Sequence, residues 1–186
     1  MRRLYKLLLP VAAPLLLAVT ALRAAPAVPV ATDLQQTGGQ AQAQQLPVLL
    51  FFASTICSYC ALLEEDFLQP MQLSGDYDDR VLVRKVVIDQ GSRIRDFDGT
   101  TVMAGKVADR YRVFVTPTLL FVDGQGRELA ERMVGINTPE LFGGYLDECI
   151  DTAYTLMRDA QATPGSRGCL LQHAADDPAV FRTAAP

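Results

Sequence analysis

The chain has no tryptophan and a single histidine, His173, close to its end. A zinc site needs four ligands, and here it would have to join Cys57 and Cys60 to Cys169 with His173, or to Cys149. Nothing else stands at ligand spacing, so no metal is expected. Basic charge is also scarce. The 17 lysines and arginines are outnumbered by 21 aspartates and glutamates, and Arg2, Arg3, Lys6 and Arg23 all sit in a first stretch without acidic residues. Without that stretch the formal charge falls from −4 to about −8, which argues against nucleic acid and an anionic membrane surface as partners. No internal repeat, Arg-rich nuclear patch or Ser-rich organelle leader is visible. The one long apolar run, Leu7 to Leu22, is broken by Pro10 and Pro14 and followed by Arg23, whereas a spanning helix needs ~20 apolar residues.

What the first stretch does have is a basic start, an apolar middle and small residues up to Ala27. Residues 1–27 therefore read as a secretory signal peptide, with Ala25-Pro26-Ala27 as a candidate cleavage site and an uncleaved membrane anchor as the alternative. Either way the remainder is exported, with a bacterial periplasm as its destination, where cysteines can pair. Residues 28–45 are rich in Ala, Gln, Gly and Thr and read as a flexible linker. Residues 46–159 make one globular domain, and 160–186 a tail rich in Ala, Pro, Gly and Asp.

The domain is organised around Leu46 to Leu68. Val48 to Ala53 is a continuous apolar run that predicts a buried strand. Cys57-Ser58-Tyr59-Cys60 follows as a turn, and Cys60, Leu63 and Phe67 recur at helical spacing. A thiol at a helix N-terminus meets free N–H groups and the positive end of the helix dipole, which stabilise its thiolate. Cys57 is thus the expected nucleophile and Cys60 the resolving thiol. Glu64, one turn after Cys60, is a candidate acceptor for the Cys60 proton, against the plain reading of a solvated glutamate.

Further on, Pro70 to Arg80 reads as a polar loop and Val81 to Asp89 as a less completely buried strand. Gln90 to Thr101 reads as a surface flap, and Met103 to Tyr111 as a helix. Val115-Thr116-Pro117-Thr118 precedes the strand Leu119 to Val122 and the turn Asp123-Gly124-Gln125-Gly126. Thr138 and Pro139 start a last helix through about Arg158, with Leu141, Tyr145, Leu146, Cys149, Ile150, Ala153 and Leu156 as its apolar face. Strands alternating with helices and ending in a hairpin imply an α/β sandwich with a mixed sheet.

This order, with a Cys-x-x-Cys between strand and helix and a Thr-Pro loop before the hairpin, resembles the thioredoxin superfamily over roughly Leu46 to Tyr154. The resemblance implies a thioredoxin-like three-layer α/β/α sandwich with a central mixed sheet and a cis peptide before Pro117. It places Thr116, Pro117, Ser58 and Tyr59 at the substrate-docking edge. It also implies thiol–disulfide exchange with protein disulfides, in which the dithiol is the electron carrier and no bound cofactor is needed. Two departures stand out: Ile56 replaces the family's usual Trp, and Phe51 sits where thioredoxins usually place a buried Asp. Tyr59 and Thr116 are similar to their counterparts in bacterial disulfide isomerases. The exported single-domain layout with CSYC followed by LLEEDFL looks more like periplasmic thioredoxin-like proteins of the SoxW type, which implies a reductase fed by a protein partner such as a membrane electron conduit. With no His or Lys inside the motif to depress the Cys57 pKa, reduction is the expected direction. A disulfide isomerase or oxidase is the alternative. So is a copper metallochaperone using the same thiols with Met71 or Met103.

The resemblance does not explain Cys149 and Cys169. Their even count in an oxidising compartment predicts a structural disulfide, and an inert buried thiol at Cys149 is the alternative.

Overall fold

The computed structural model describes residues 27–159 and Cys169. The leader, the remainder of the tail and His173 lie outside the described residues. At the centre are β1 (Val48–Ala53) and β5 (Thr118–Val122), every residue of which is buried. β1 pairs parallel with β2 (Leu82–Val87) and antiparallel with β5, which pairs antiparallel with β6 (Met133–Val134). The sheet order is β2-β1-β5-β6, a mixed sheet.

Side chains alternate across a strand, so β1 serves two cores at once. Leu49, Phe51 and Ala53 join Cys60, Leu63, Leu146, Cys149 and Ile150 on one face. Val48, Leu50 and Phe52 join Leu34, Ala41, Val107 and Ala108 on the other. Helices therefore cover both faces, giving the thioredoxin-like α/β/α sandwich. On the first side are α2 (Ser58–Leu63), a π-helical turn (Glu64–Leu68), α3 (Gln69–Ser74) and α5 (Pro139–Arg158); on the second are α1 (Leu34–Gln44) and α4 (Ala104–Arg110).

The structure corrects the flexible linker of residues 28–45. Residues 34–44 are helix α1, capped by Asp33, whose carboxylate accepts the Gln36 N–H at 2.7 Å. Leu34, Thr37, Gly38 and Ala41 form its buried stripe, and a Cβ on Gly38 would stand 2.2 Å from the Gly124 carbonyl oxygen. Small residues that look like linker composition are thus a tight seam against the β5–β6 turn. Ahead of α1, Val30 bridges in parallel to Lys85, so the domain begins before residue 46.

Other elements shift for local reasons. The helix after the cysteines runs on through Pro70 to Ser74; a proline removes one amide donor, and the π turn just before it accommodates that defect. The same turn moves full burial from Phe67 to Leu68, and Phe67 instead packs on Phe142 with ring centroids 4.7 Å apart. On α5 it is Phe142, not Leu141, that is buried. Thr138 occupies the N-cap of α5 without a side-chain capping bond. The expected flap contains a hairpin, β3 (Arg93–Arg95) with β4 (Thr101–Met103). Buried Ile94 anchors it to the second core, and Asp96 binds Arg110 of α4 at 2.5 and 2.7 Å. No helix among the described residues is long and apolar enough to cross a membrane.

Candidate redox site

β1 ends at Ala53, and the chain turns through Ser54–Ile56 into α2. Cys57 is the N-cap residue, in extended backbone, and its sulfur accepts the Cys60 N–H at 3.1 Å. Its carbonyl accepts from Cys60 and Ala61 at 3.1 and 3.4 Å, so the first turn of the helix is folded onto Cys57. Cys57 and Cys60 are joined as a disulfide with Cα atoms 5.2 Å apart. The two sulfurs differ in access: Cys57 is half-buried, whereas Cys60 is 4% exposed within the core under α2. Ser58 is exposed, as are Ile56 at 92% and Tyr59 at 62%, so the rim of the motif is partly apolar.

The second wall is the loop before β5. The Thr116–Pro117 bond is cis, and Thr116 Oγ1 lies 3.5 Å from Ser54 Oγ, which sets this loop beside the one carrying Cys57. Pro117 is buried, and its carbonyl accepts the Gly135 N–H at 2.9 Å. Thr118 Oγ1 donates to the Val115 carbonyl at 2.7 Å and stiffens the approach. Phe114 is 82% exposed, and Val115 is exposed beside it. Ser58 and Tyr59 thus open α2, and Thr116 and Pro117 belong to the loop that meets the approach to α2 at Ser54.

Behind the disulfide is an open cavity of about 390 Å³, lined among others by Ser54, Cys57, Cys60, Glu64 and Lys85. Glu64, the first residue of the π turn, forms an ion pair with Lys85 through Oε2 and accepts the Val28 N–H at 3.2 Å through Oε1. It is not a solvated helix glutamate, because its side chain is 12% exposed and that of Lys85 23%. Lys85 lies opposite Phe51 in the β1–β2 register, with Nζ 5.7 Å from the centre of the Phe51 ring. Sequence reasoning missed Lys85. The signal was there in Arg84-Lys85, two cations inside an otherwise apolar strand. Arg84 is held below the usual guanidinium range by burial.

Met71 is buried with Cys60 in the first core, and Met103 is exposed at the end of the β3–β4 hairpin. Among the described residues no cluster of three or more His, Cys, Asp or Glu is arranged to hold a metal ion. A larger cleft, about 620 Å³ and lined by Gln42, Arg127 and Met157 among others, contains no cysteine. Cys149 of α5 and Cys169 form a second disulfide, both residues fully buried and the Cys169 sulfur 3.7 Å from the Glu131 carbonyl oxygen.

Comparison with known proteins adds a family. The profile of the thioredoxin-like domain matches residues 34–150, a span that takes in α1. Among solved structures the fold is similar to thioredoxin O2 of Arabidopsis thaliana in its oxidised state, at 22% identity over 64% of this chain and 91% of that one, with a TM-score of 0.42. It is similar also to Fasciola hepatica thioredoxin, at 19% identity over 66% and 96% with a TM-score of 0.45. A third is Malassezia sympodialis thioredoxin, at 18% identity over 72% and 99% with a TM-score of 0.47. No curated protein matches the chain.

Proposed function

The chain belongs to the thioredoxin-like family and is a thiol:disulfide oxidoreductase, and on that premise we propose that it is an exported reductase of periplasmic protein disulfides. The observation that carries the mechanism is the asymmetry of the pair. Cys57 is accessible with its sulfur held by a helix amide, while Cys60 waits in the core beneath it. In the dithiol form the Cys57 thiolate attacks one sulfur of a substrate disulfide, and the other leaves as a thiolate that takes up a proton. The Cys60 proton passes toward the Glu64 carboxylate, and the Cys60 thiolate then attacks the Cys57 sulfur. The mixed disulfide breaks, the second substrate thiol is released, and two electrons have moved from the Cys57–Cys60 dithiol to the substrate. A protein reductant, such as a membrane electron conduit, restores the dithiol. The dithiol is itself the electron carrier, so we assign no bound cofactor.

Several features support a polypeptide substrate. Ile56 before α2, Tyr59 in its first turn, and Phe114 and Val115 in the loop before β5 expose apolar surface near the disulfide. In this reading Thr116 and Pro117 form the docking edge, with Ser58 and Tyr59 facing it. The export reading rests on the sequence of residues 1–27, and the SoxW-type placement on CSYC-ALLEEDFL with the exported single-domain layout.

The roles are tested with Cys57→Ser and Cys60→Ser in the full chain. Cys57→Ser abolishes exchange, and Cys60→Ser accumulates mixed disulfides that non-reducing electrophoresis resolves. A Cys60→Ser protein that traps no adduct, under conditions where the wild type turns over, overturns the assignment. Direction is read from the equilibrium potential: a value near thioredoxin's, ~−270 mV, supports the reductase, and one near ~−120 mV an oxidase.

A further inference from the structure

At the open end of the parallel β1–β2 pair, one carboxylate reaches across to the loop that carries the reactive cysteine. The pairing ends with the Ile88 N–H donating to the Ala53 carbonyl at 2.9 Å, and Asp89 follows directly. Asp89 accepts the Thr55 N–H on both oxygens, at 3.0 and 2.9 Å, and the Thr55 hydroxyl at 2.6 Å. These bonds hold the Asp89 carboxyl below the usual carboxylate range, although the side chain is in solvent. Thr55 stands two residues before Cys57. Ahead of Cys57 the loop's other ties are long: the Cys57 N–H reaches the Ser54 carbonyl at 3.3 Å, and the Ser54 and Thr116 hydroxyls are 3.5 Å apart, while Cys57 itself is joined to α2 by the Cys60 N–H at 3.1 Å.

In the disulfide form the bond to Cys60 tethers Cys57 from the helix side as well. Reduction removes that covalent tether, so the segment ahead of Cys57 is held by the Thr55–Asp89 bonds on the sheet side and by the Cys57 carbonyl's bonds to the first amides of α2 on the other. We infer that Asp89 is a positioning residue for disulfide exchange, a latch on Thr55 that keeps the Cys57 sulfur over the first amides of α2 in the dithiol form. The inference rests on the oxidoreductase reading above and adds a residue outside the motif to it. A latch that matters more without the covalent tether stabilises the dithiol relative to the disulfide. Its loss therefore makes the pair more reducing and slows attack by Cys57. The bare charge of Asp89 acts in the opposite sense. A carboxylate near a thiolate disfavours it, so removing the charge alone would speed attack at neutral pH.

Asp89→Ala and Asp89→Asn separate the two effects. In the full chain, with Cys149–Cys169 intact, the equilibrium of Cys57–Cys60 is measured against glutathione, and the attack rate with a small aromatic disulfide. Asp89→Ala should shift the equilibrium toward the disulfide and slow attack, each by roughly threefold or more. Asp89→Asn keeps an acceptor for the Thr55 N–H without the charge, and should restore most of both. Unchanged values in Asp89→Ala, or faster attack in both variants, would overturn the latch. Amide hydrogen exchange of wild-type protein gives a check that needs no variant: the Thr55 amide should stay protected after reduction, and exchange at the free-amide rate overturns the inference. A wild type that performs no exchange would remove the oxidoreductase premise itself, whereas an active wild type with indifferent variants removes only the latch.

Discussion

Cys57 and Cys60 are three residues apart yet face different surroundings, one at the surface over a helix amide and one in the core. In the mechanism we propose, the proton that leaves Cys60 needs an acceptor inside, and Glu64 lines the same cavity. Its carboxylate is kept in place by Lys85 and the Val28 N–H. Glu64→Gln keeps the shape and removes the proton-accepting charge. It should slow resolution of the mixed disulfide by roughly a hundredfold, the low end of what a general base contributes, while leaving the first attack by Cys57 unchanged. Stopped-flow separation of the two steps checks this, and equal slowing of both would assign Glu64 a purely structural part. The variant should also lose some stability, because Lys85 would be left half-buried without its counter-charge.

At the scale of elements, α1 and the tail disulfide are the parts that close the fold around the redox core. The Gly38 seam against Gly124 leaves no room for a methyl group, whereas nothing lies within 4 Å of a Cβ on Gly39. Gly38→Ala should therefore cost about 1–3 kcal/mol by overpacking against backbone. Gly39→Ala, one residue along the same helix, should gain about 0.5–1 kcal/mol from lost unfolded-chain freedom. Urea melts of the two variants test the seam, and a neutral Gly38→Ala would remove it. Cys149–Cys169 closes a separation of 20 residues onto the middle of α5. Chain entropy for a loop of that size makes replacing both cysteines by Ala cost about 3 kcal/mol, with the exchange activity of Cys57 retained in the folded protein. The bond should also outlast Cys57–Cys60 in mild reductant, which peptide mapping after graded reduction can show.

For the whole molecule, alkaline stability reports how the second core is closed. Tyr111, at the end of α4, packs edge-on to Phe52 and donates its hydroxyl to the Gly126 carbonyl at 2.7 Å. Burial pushes its pKa from 10.0 up to about 12. The unfolded chain then releases this proton first, so stability falls as the pH rises from about 10 to about 12, by up to about 3 kcal/mol from this one group. Tyr111→Phe should flatten that part of the pH–stability curve while losing the bond to Gly126. An unchanged slope in the variant would assign the alkaline loss to other groups.

Local pattern determined the catalytic half of this protein before any fold was known. The apolar run of β1, the cysteine pair at a helix start and most of the α5 stripe arise from periodicity and from neighbours within a few residues, which a linear chain displays directly, whereas the Thr-Pro loop was legible only through the family resemblance. The even number of cysteines outside the motif was likewise enough to suggest the bond that joins Cys149 to Cys169. Long-range contacts decided the remainder. Helix α1 looked like linker because its glycines carry low helix propensity; only the approach of the Gly124 backbone explains them. Lys85 stands without a role in the sequence of its strand, and only the parallel register carries it over Phe51 to Glu64. The grip of Asp89 on Thr55 spans 34 residues of sequence and exists because two parallel strands end side by side. Such contacts depend on the sheet's strand order and register, which no short window of sequence contains.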